Sequence, residues 1–378
     1  MSRLMLGVIE GIIDVYADSW EGEKERVLEL VRKMGLIDQV LGRRPATAGE
    51  MVPARQQECA IMSLLGRASP DQTSIRFGMN ADPHLMGRKT PHHEANFQEF
   101  VDQTKKFDPN FAIDLGDFGC QIASGQTTKE MHDGQLEALQ HHVGIFGQLQ
   151  CPRYHVMGNH DVGWLQGGDE RIGPEDLIGQ DHFGEDITKQ EFINATGIPN
   201  RYYAFDVRGF HFIVLDGNNR PDASAAVRGR DGVTGIYWID DEQREWLTED
   251  LIKNQQRPKI VFCHEELHHT PSEGSGEGGD APFAPVGKQH SYVDNGWEIR
   301  SLFTNDGHVV ACFFGHNHRN RWTMYAGTHY ITLAATHWER SFAMVTISDR
   351  LNIRGFGGQR SYDLALPDWA TRGLSTPG

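Results

Sequence analysis

Long apolar runs and basic residues are both scarce in this sequence. No apolar run approaches the ~18 residues that a transmembrane helix requires, so we expect no membrane-spanning segment. Lysine and arginine together number 36 against 52 aspartates and glutamates, which leaves a formal net charge of −16. Binding to nucleic-acid polymers or anionic membranes needs a basic face that neutralises phosphates. We therefore expect neither as a partner, and any bound phosphate needs a local source of positive charge.

Cysteine is scarce too, because the chain has only five, with no C-x-x-C spacing. An odd number without paired spacing predicts reduced thiols and no disulfide framework. The N-terminus lacks a secretory pattern because Glu10 and Asp14 interrupt its apolar part. Together these features predict a cytoplasmic protein. The sequence leaves its oligomeric state open.

The chain has 378 residues and 38% hydrophobic content, which suffices for one large domain with an appendage. Residues 1–70 show a helical rhythm of apolar residues and then a stretch with Pro45 and Gly49. This pattern predicts an N-terminal helical extension and linker, with a gene start placed too far upstream as the alternative. We expect the main domain at residues 71–360 and a C-terminal tail at residues 361–378.

From residue 74 onward, predicted strands alternate with predicted helices. Strands at residues 74–80 and 111–115 flank a helix at residues 94–107, and the alternation continues along the chain. An acidic stretch at residues 167–192 is interpreted as a surface insertion, and the strands after residue 323 predict antiparallel meanders. Strands that alternate with helices of this length predict an α/β fold in which helices cover the sheets.

Five of the predicted strands end in side chains that commonly bind metal ions. In an extended segment, residues two apart point to the same side, so the D-x-H and H-x-H spacings each aim two ligands inward. Open α/β sheets place their ligands at the carboxyl ends of the strands. The pattern therefore predicts one shared centre. Its members, in chain order, are Asp82 and His84, then Asp117, then Asn159 with His160 and Asp161, then His264, then His316 and His318.

These residues resemble the motifs of the calcineurin-like metallophosphoesterases, namely D-x-H, G-D, G-N-H-D, H and G-H-x-H, over about residues 74–355. The resemblance implies a four-layer sandwich of two mixed β-sheets flanked by helices, and a site for two metal ions. One departure is Phe118-Gly119-Cys120, which stands where the family often has another Asp or Asn and puts local loop packing in doubt. The implied ligands are Asp82, His84 and His318 for one ion and Asn159, His264 and His316 for the other, with Asp117 bridging both.

The chemistry of such a site suits phosphate on an acidic protein. Two ions bring more positive charge than two aspartates return, and they lower the pKa of bridging water so that hydroxide attacks phosphorus in line. Mixed Asp, Asn and His ligands suit Mn, Fe or Zn. His160 lies beside Asn159, so we interpret it as the general acid for the leaving oxygen, with Asp161 orienting its ring.

Two other classes of protein compete with this interpretation. Residues 264–268 match H-E-x-x-H, the signature of zinc proteases, which needs a helix so that both histidines share a face. The motif instead follows a predicted strand and runs into Pro271 and a Gly-rich loop, which leaves little room for a helix. A non-catalytic scaffold is the other class, but a scaffold is expected to lose ligands or the acid histidine, and this chain loses neither.

The substrate is expected to be small and phosphorylated or nucleotide-like. Residues 202–216 and 241–247 resemble class III cyclic-nucleotide phosphodiesterases and manganese-dependent ADP-ribose/CDP-alcohol diphosphatases, which favours a phosphodiester or nucleotide diphosphate linkage. A phosphomonoesterase or protein phosphatase is the alternative, and glycerophosphodiesters stay open. The Gly- and Ser-rich loop at residues 270–286 is predicted to be a lid. Candidates for lining the pocket are His268, Tyr292 and Arg319, followed by Trp322, His329 and His337.

Overall fold

The computed structural model describes residues 74–85, 91–119, 128–162, 187–219, 237–267, 292–371 and 374. All of them belong to a compact unit that begins at Asp71. The predicted extension at residues 1–70 and the predicted lid at residues 270–286 lie outside the described residues, as does most of the predicted insertion. Within the described ranges, no helix combines the length and hydrophobicity needed to cross a bilayer.

The first sheet has six strands in the order β12-β11-β10-β1-β2-β3. Strands β1, β2 and β3 run parallel, and β10, β11 and β12 continue the sheet with antiparallel pairing. The parallel strands all end at one edge, where their following loops meet. The strands are β1 (Ile75–Asn80), β2 (Phe111–Asp114), β3 (Arg153–His155), β10 (Phe342–Ile347), β11 (Arg350–Phe356) and β12 (Tyr362–Ala365).

The second sheet also has six strands, in the order β4-β5-β6-β7-β9-β8. Its four central strands, β5, β6, β7 and β9, are parallel, while β4 and β8 are antiparallel edges. Arg208 and Gly209 join β4 to β5 with positive φ angles of 47° and 86°, as a tight hairpin requires. The strands are β4 (Tyr203–Val207), β5 (Phe210–Val214), β6 (Lys259–Phe262), β7 (Val309–Phe314), β8 (Arg321–Tyr325) and β9 (Thr328–Thr332).

Helices cover the outer face of each sheet. Phe97 and Phe100 of the first helix pack with Phe146 of the second against Met344 of the first sheet. Leu247 and Phe303 pack against the outer face of the second sheet. The helices are α1 (Pro91–Phe107), α2 (Thr128–Phe146), α3 (Lys189–Thr196), α4 (Asp241–Lys253), α5 (Gly296–Asp306) and α6 (Asp368–Thr371).

The two sheets pack face to face through aromatic side chains. Phe77 of β1 stacks on Phe111 of β2 at 4.7 Å between ring centroids, and meets Phe262 of β6 edge-on at 6.0 Å. Strand alternation separates the faces, since Phe262 faces this inner core while Val261 faces the helices. Two mixed sheets flanked by helices give the four-layer α/β fold, which confirms the predicted fold class.

Three segments differ from the sequence expectations. Residues 362–371 were assigned to a C-terminal tail, but β12 is an edge strand of the first sheet and Leu364 belongs to the inner core. Helix α3 begins inside the predicted insertion, with Thr188 and Glu191 forming a capping box. The strands after residue 323 pair antiparallel as predicted, but they are divided between the sheets, with β8 and β9 in the second and β10, β11 and β12 in the first.

Candidate metal centre

The structure brings all seven predicted ligands together at the carboxyl ends of five strands. Those that follow β1, β2 and β3 come from the first sheet, and those that follow β6 and β7 come from the second. The site therefore spans the junction of the two sheets. We call these seven residues the metal centre: Asp82, His84, Asp117, Asn159, His264, His316 and His318.

The ligand atoms form two groups that share one carboxylate. One group contains Asp82, His84, Asp117 and His318, and its atoms lie within 4.8 Å of one another. The other contains Asp117, His264 and His316. Asn159 joins the second group, because its Oδ1 lies 2.7 Å from Nδ1 of His316. Asp117 is thus placed between two sets of nitrogen and oxygen ligands.

The ligand atoms approach one another closely inside the protein. Nε2 of His318 lies 3.2 Å from Oδ1 of Asp82, and Nε2 of His264 lies 3.0 Å from Oδ2 of Asp117. Yet Oδ2 of Asp117 and Nε2 of His264 are buried without any hydrogen bond of acceptable geometry. Buried polar atoms without partners are costly in free energy. Two such atoms aimed at a shared space fit a pair of metal ions, since carboxylate oxygen and imidazole nitrogen are both ligands for Mn, Fe and Zn.

Contacts on the far side of each ring orient the ligand nitrogens. Nδ1 of His84 lies 2.9 Å from the carbonyl oxygen of Gly119, and Nδ1 of His264 lies 2.7 Å from that of Leu115. Each Nδ1 donates its proton to the carbonyl, so Nε2 is the nitrogen that faces the centre and that can bind a metal ion once it carries no proton. Gly119 belongs to the segment that departs from the family motif, but its carbonyl oxygen still orients the ring of His84.

The backbone is strained at most of these positions. Five of the seven residues have positive φ angles, from 43° at His84 to 65° at His316. We expected Asp82 and His84 to share a side because the segment is predicted to be extended, but positive φ is incompatible with an extended chain. The paired ligands instead face inward through left-handed turns. Non-glycine residues in this conformation are concentrated at functional sites, where the surrounding structure holds them.

Gly158 and Gly315 let neighbouring loops approach the ligands. A Cβ atom at Gly158 would clash with the backbone nitrogen and Oδ1 of Asp117, and one at Gly315 would lie 2.7 Å from Oδ2 of Asp82. The glycine of the G-N-H-D motif is therefore required for the close contact between the loops that follow β2 and β3.

The charges of the ligands depend on one another. Burial disfavours the carboxylate form of Asp117, but His264 and His160 lower its pKa well below the usual 3.8. Burial likewise opposes protonation of His264, but Asp117 raises its pKa well above 6.5. By contrast, burial lowers the pKa of His84 to about 3. Metal ions bind deprotonated ligands, so loading the centre must release a proton from His264.

His160 and Asp161 occupy different places. The His160 side chain is 19% exposed, and its Nε2 lies 4.0 Å from Oδ2 of Asp117. Asp161 is fully buried, and its carboxylate accepts hydrogen bonds from the backbone N–H groups of Asp117, Gly119 and Gly158. Among the described residues, none of its hydrogen bonds goes to the His160 ring. Asp161 therefore ties the loops after β2 and β3 together, which is a different role from the ring orientation that we expected.

The profile of the calcineurin-like phosphoesterase family matches residues 75–320. The chain belongs to this family. Among solved structures, a dimetal phosphatase from Danio rerio is similar, with 16% identity, a TM-score of 0.54, and coverage of 78% of this chain and 99% of that chain. Purple acid phosphatase PPD1 from seeds of yellow lupin (Lupinus luteus) has 15% identity, a TM-score of 0.50, and coverage of 82% of this chain and 57% of that chain. No curated protein sequence matches.

At 16% and 15% identity, the likeness to these two structures shows the fold of this chain and says nothing about its substrate. Calcineurin-like phosphoesterases depend on dinuclear metal sites, and the clusters of the metal centre are able to bind metal ions. Membership therefore implies a hydrolase of phosphoric esters.

His337 also lies at the metal centre of this phosphoesterase, although we named it only as a candidate for lining the pocket. It forms a ligand-type group with His84 and His318, and its Nδ1 lies 2.9 Å from the carbonyl oxygen of Asp82. Burial lowers its pKa to about 4, so the ring is neutral at physiological pH. The sequence signal was available, because His337 follows β9 as the ligands follow their strands.

Behind the centre lies a fully enclosed group of Asp114, His142 and His155. Nε2 of His142 lies 2.7 Å from Oδ2 of Asp114, while Oδ1 of Asp114 accepts a hydrogen bond from the backbone of Gly116. These residues support the loop that carries Asp117.

The other pocket candidates are more scattered. Tyr292 is half-buried in an isolated β-bridge with Glu266, and Arg319 is exposed directly after His318. His268 lies outside the described residues. Nε1 of Trp322 donates a hydrogen bond to Nδ1 of His329, whose Nε2 lies 2.9 Å from the carbonyl oxygen of Ala365 in β12. Substrate contacts of His268, Tyr292 and Arg319 stay predictions. Residues 264–267 are not helical, so the described part of the H-E-x-x-H motif lacks the helix that a zinc protease needs.

Proposed function

We propose that this phosphoesterase hydrolyses a small phosphodiester or nucleotide diphosphate linkage at the metal centre, with His160 as general acid. The observation that carries the proposal is the pair of ligand groups that share Asp117, with the partly exposed His160 ring beside them. A small phosphorylated or nucleotide-like partner and a cytoplasmic location belong to the same proposal.

One metal ion would be held by Asp82, His84 and His318, and the other by Asn159, His264 and His316. Asp117 would bind both ions. When bound, two ions of Mn, Fe or Zn polarise the phosphoryl oxygens and make water nucleophilic at neutral pH. The chain's own contribution is to fix the ligands before substrate arrives, through the backbone contacts of His84 and His264.

His160 is held by its backbone, and its ring is partly exposed. Its N–H donates to Oδ1 of Asp117 over 2.8 Å, and its carbonyl accepts from the Gln135 side chain. A protonated Nε2 beside the Asp117 carboxylate is positioned to give its proton to the departing oxygen. An alkoxide leaves poorly without a proton, so this transfer matters most for alkyl esters.

The charges around the centre favour a monoanionic diester over a dianionic monoester. Within the described residues, Asp82 and Asp117 form ion pairs with histidines only, and with no lysine or arginine. Arg319 and Arg340, near His318 and His337 in sequence, are exposed. A monoester carries additional negative charge, which aspartates and histidines without a paired lysine or arginine, as in the described part of the centre, compensate less well.

Replacement of His160 tests the acid role. We expect His160→Ala to keep two metal ions and to lose about 10²- to 10⁴-fold in turnover of an alkyl ester. The loss should be much smaller for a 4-nitrophenyl ester, because nitrophenolate leaves without a proton. An equal loss on both esters, with metal content unchanged, would contradict proton donation.

A panel of substrates tests the substrate class. With manganese present, the enzyme should act on bis(4-nitrophenyl) phosphate, a cyclic nucleotide or ADP-ribose in preference to 4-nitrophenyl phosphate. Asp117→Asn serves as the background control, because activity that survives this substitution does not come from the metal centre. A strong preference for the monoester would replace the proposal with a phosphomonoesterase or protein phosphatase that uses the same ligands.

A further inference from the structure

Trp338 is an exposed indole beside the metal centre. Its side chain is 54% exposed, and its ring centroid lies 5.4 Å from that of the ligand His318 and 5.1 Å from that of His337. Among the described residues, the other large apolar side chains that are exposed make no ring contact with a ligand of the centre. They are Ile252, Trp297, Met324, Tyr325 and Trp369.

The turn that carries Trp338 is fixed by its backbone. The Trp338 N–H donates to the carbonyl of Ala335 over 3.1 Å, and the Trp338 carbonyl accepts from both the N–H and the hydroxyl of Ser341. Glu339 and Arg340 adopt positive φ angles of 52° and 55°. Two successive non-glycine residues in this region are sterically unfavourable, so the surrounding contacts must stabilise the turn. The indole is therefore presented from a defined position.

An indole face binds flat, apolar or cationic groups. A quaternary ammonium is usually enclosed by several aromatic rings. Among the described residues, Trp338 is the one exposed Trp, Tyr or Phe that contacts a ligand histidine, since Tyr237, beside His316, is buried. A single flat face suits a nucleobase, because every base has a π-face and stacks without a demand for particular hydrogen bonds.

We propose that Trp338 is a specificity-determining residue, which stacks on a purine or pyrimidine ring carried by the ester that the metal centre hydrolyses. This inference rests on the proposed function, because the indole can select an ester only if hydrolysis occurs at the adjacent ligands. It narrows the substrate class to nucleotide esters and diphosphates.

The test uses two substrates that differ only in the base, namely adenosine 5′-(methyl phosphate) and ribose 5-(methyl phosphate). The wild-type enzyme should prefer the adenosine ester. Trp338→Ala should reduce the ratio of the two kcat/KM values by about 5- to 100-fold, the range expected for loss of one base–aromatic stack, and Trp338→Phe should keep most of the preference. Trp297→Ala, which removes an exposed indole on α5, is the matched control and should change neither rate.

A binding measurement gives an independent readout. Adenosine monophosphate should quench the tryptophan fluorescence of the manganese-loaded wild type and of Trp297→Ala, and the quenching should be lost in Trp338→Phe. If the wild type hydrolyses neither ester, the proposed diesterase function fails. If it hydrolyses both, and Trp338→Ala slows them equally with unchanged nucleotide affinity, the stacking proposal is wrong while the function stands.

Discussion

Next to the metal centre lies a second group of charged side chains, buried except for the partly exposed Asp240. We call it the closed cluster: Lys189, Arg201, Asp216 and Asp240. Asp216 follows β5 just as His264 follows the adjacent strand β6. Lys189 reaches Asp216, the carbonyl of Asn218 and the side chain of Asn219, so its ammonium has three acceptors. Burial disfavours the charged form of Asp216, but Lys189 and Arg201 lower its pKa.

In the metal centre the buried carboxylates have different partners from those in the closed cluster. Its aspartates face imidazoles, and Oδ2 of Asp117 and Nε2 of His264 lack hydrogen bonds. Its backbone is strained at five positions, whereas Lys189, Arg201, Asp216 and Asp240 all have ordinary φ angles. In the closed cluster every carboxylate oxygen accepts a hydrogen bond, and Nε of Arg201 is the atom left without one. In the metal centre it is a carboxylate oxygen and an imidazole nitrogen, both potential metal ligands, that are left without one. Buried carboxylate and imidazole atoms without hydrogen bonds, more than charge alone, therefore distinguish the reactive site from the structural one.

The two clusters are physically connected. Asn218 donates a hydrogen bond from its backbone N–H to Asp216, and from its side chain to the carbonyl of Met157. Met157 directly precedes the G-N-H-D motif. The closed cluster thus supports the loop that carries Asn159 and His160.

The largest effect should come from Asp117→Asn, which removes the carboxylate shared by both ligand groups. Two ions contribute several kcal/mol of charge stabilisation, so we expect turnover to fall by at least about 10³-fold. Metal analysis should show fewer than two ions per chain. Asp363→Asn, at an exposed ion pair with Arg350, is the control and should retain both ions and activity. Full metal content in Asp117→Asn would rule out the bridging role.

Substitutions in the closed cluster should lower the stability of the protein and leave metal binding unchanged. Asp216→Ala leaves Lys189 and Arg201 buried without their shared partner, which should lower the free energy of unfolding by about 3–5 kcal/mol. Urea denaturation measures this change. Asp241→Asn removes an exposed partner of Arg244 and should cost at most about 1 kcal/mol. If Asp216→Ala were no less stable than Asp241→Asn, the contrast between the clusters would disappear.

Asp161 should affect the metal centre through the loops that it joins. An amide at this position accepts poorly from three N–H groups, so Asp161→Asn should weaken metal binding by about 10- to 100-fold. Titration with manganese, followed by activity or calorimetry, gives the affinity. Unchanged affinity together with an altered pH dependence of kcat would restore the ring-orienting role that the sequence suggested.

His211, which pairs with two aspartates, should make a contribution to stability that depends on pH. His211 lies 2.7 Å from both Asp206 and Asp250, and although burial opposes its charge, these carboxylates raise its pKa above 6.5. Its contribution to stability is therefore fully present below the unfolded pKa of about 6.5, and is lost as the pH rises through the folded pKa.

His211→Gln should accordingly cost about 1–2 kcal/mol at mildly acidic pH and less in alkaline buffer, as urea denaturation at several pH values will show. His141→Gln, at an exposed pair with Glu94, should show no such trend. A cost that grew with pH would mean that His211 is stabilising in its neutral form.

The sequence predicted the fold class because strands and helices follow local periodicities, and it predicted the members of the centre because they stand in short motifs directly after strands. It failed where structure depends on distant partners. The four-residue strand β12 alternates only weakly and is recognisable by its pairing with β11. The contacts of Asp161 with Asp117 depend on loops 44 residues apart in the chain. Likewise, Lys189 and Asp216 are 27 residues apart, so no local pattern marks the closed cluster.

The left-handed backbone at five of the ligand positions has a consequence for protein engineering. Glycine or asparagine relieves most of the steric cost of such a conformation, which is about 1–2 kcal/mol for other residues. Replacing His84 or His318 with glycine can therefore produce a chain that resists heat better and does no chemistry. A library of variants ranked by thermal tolerance alone would be enriched in inactive enzymes, with the substitutions concentrated at the metal-ligand positions.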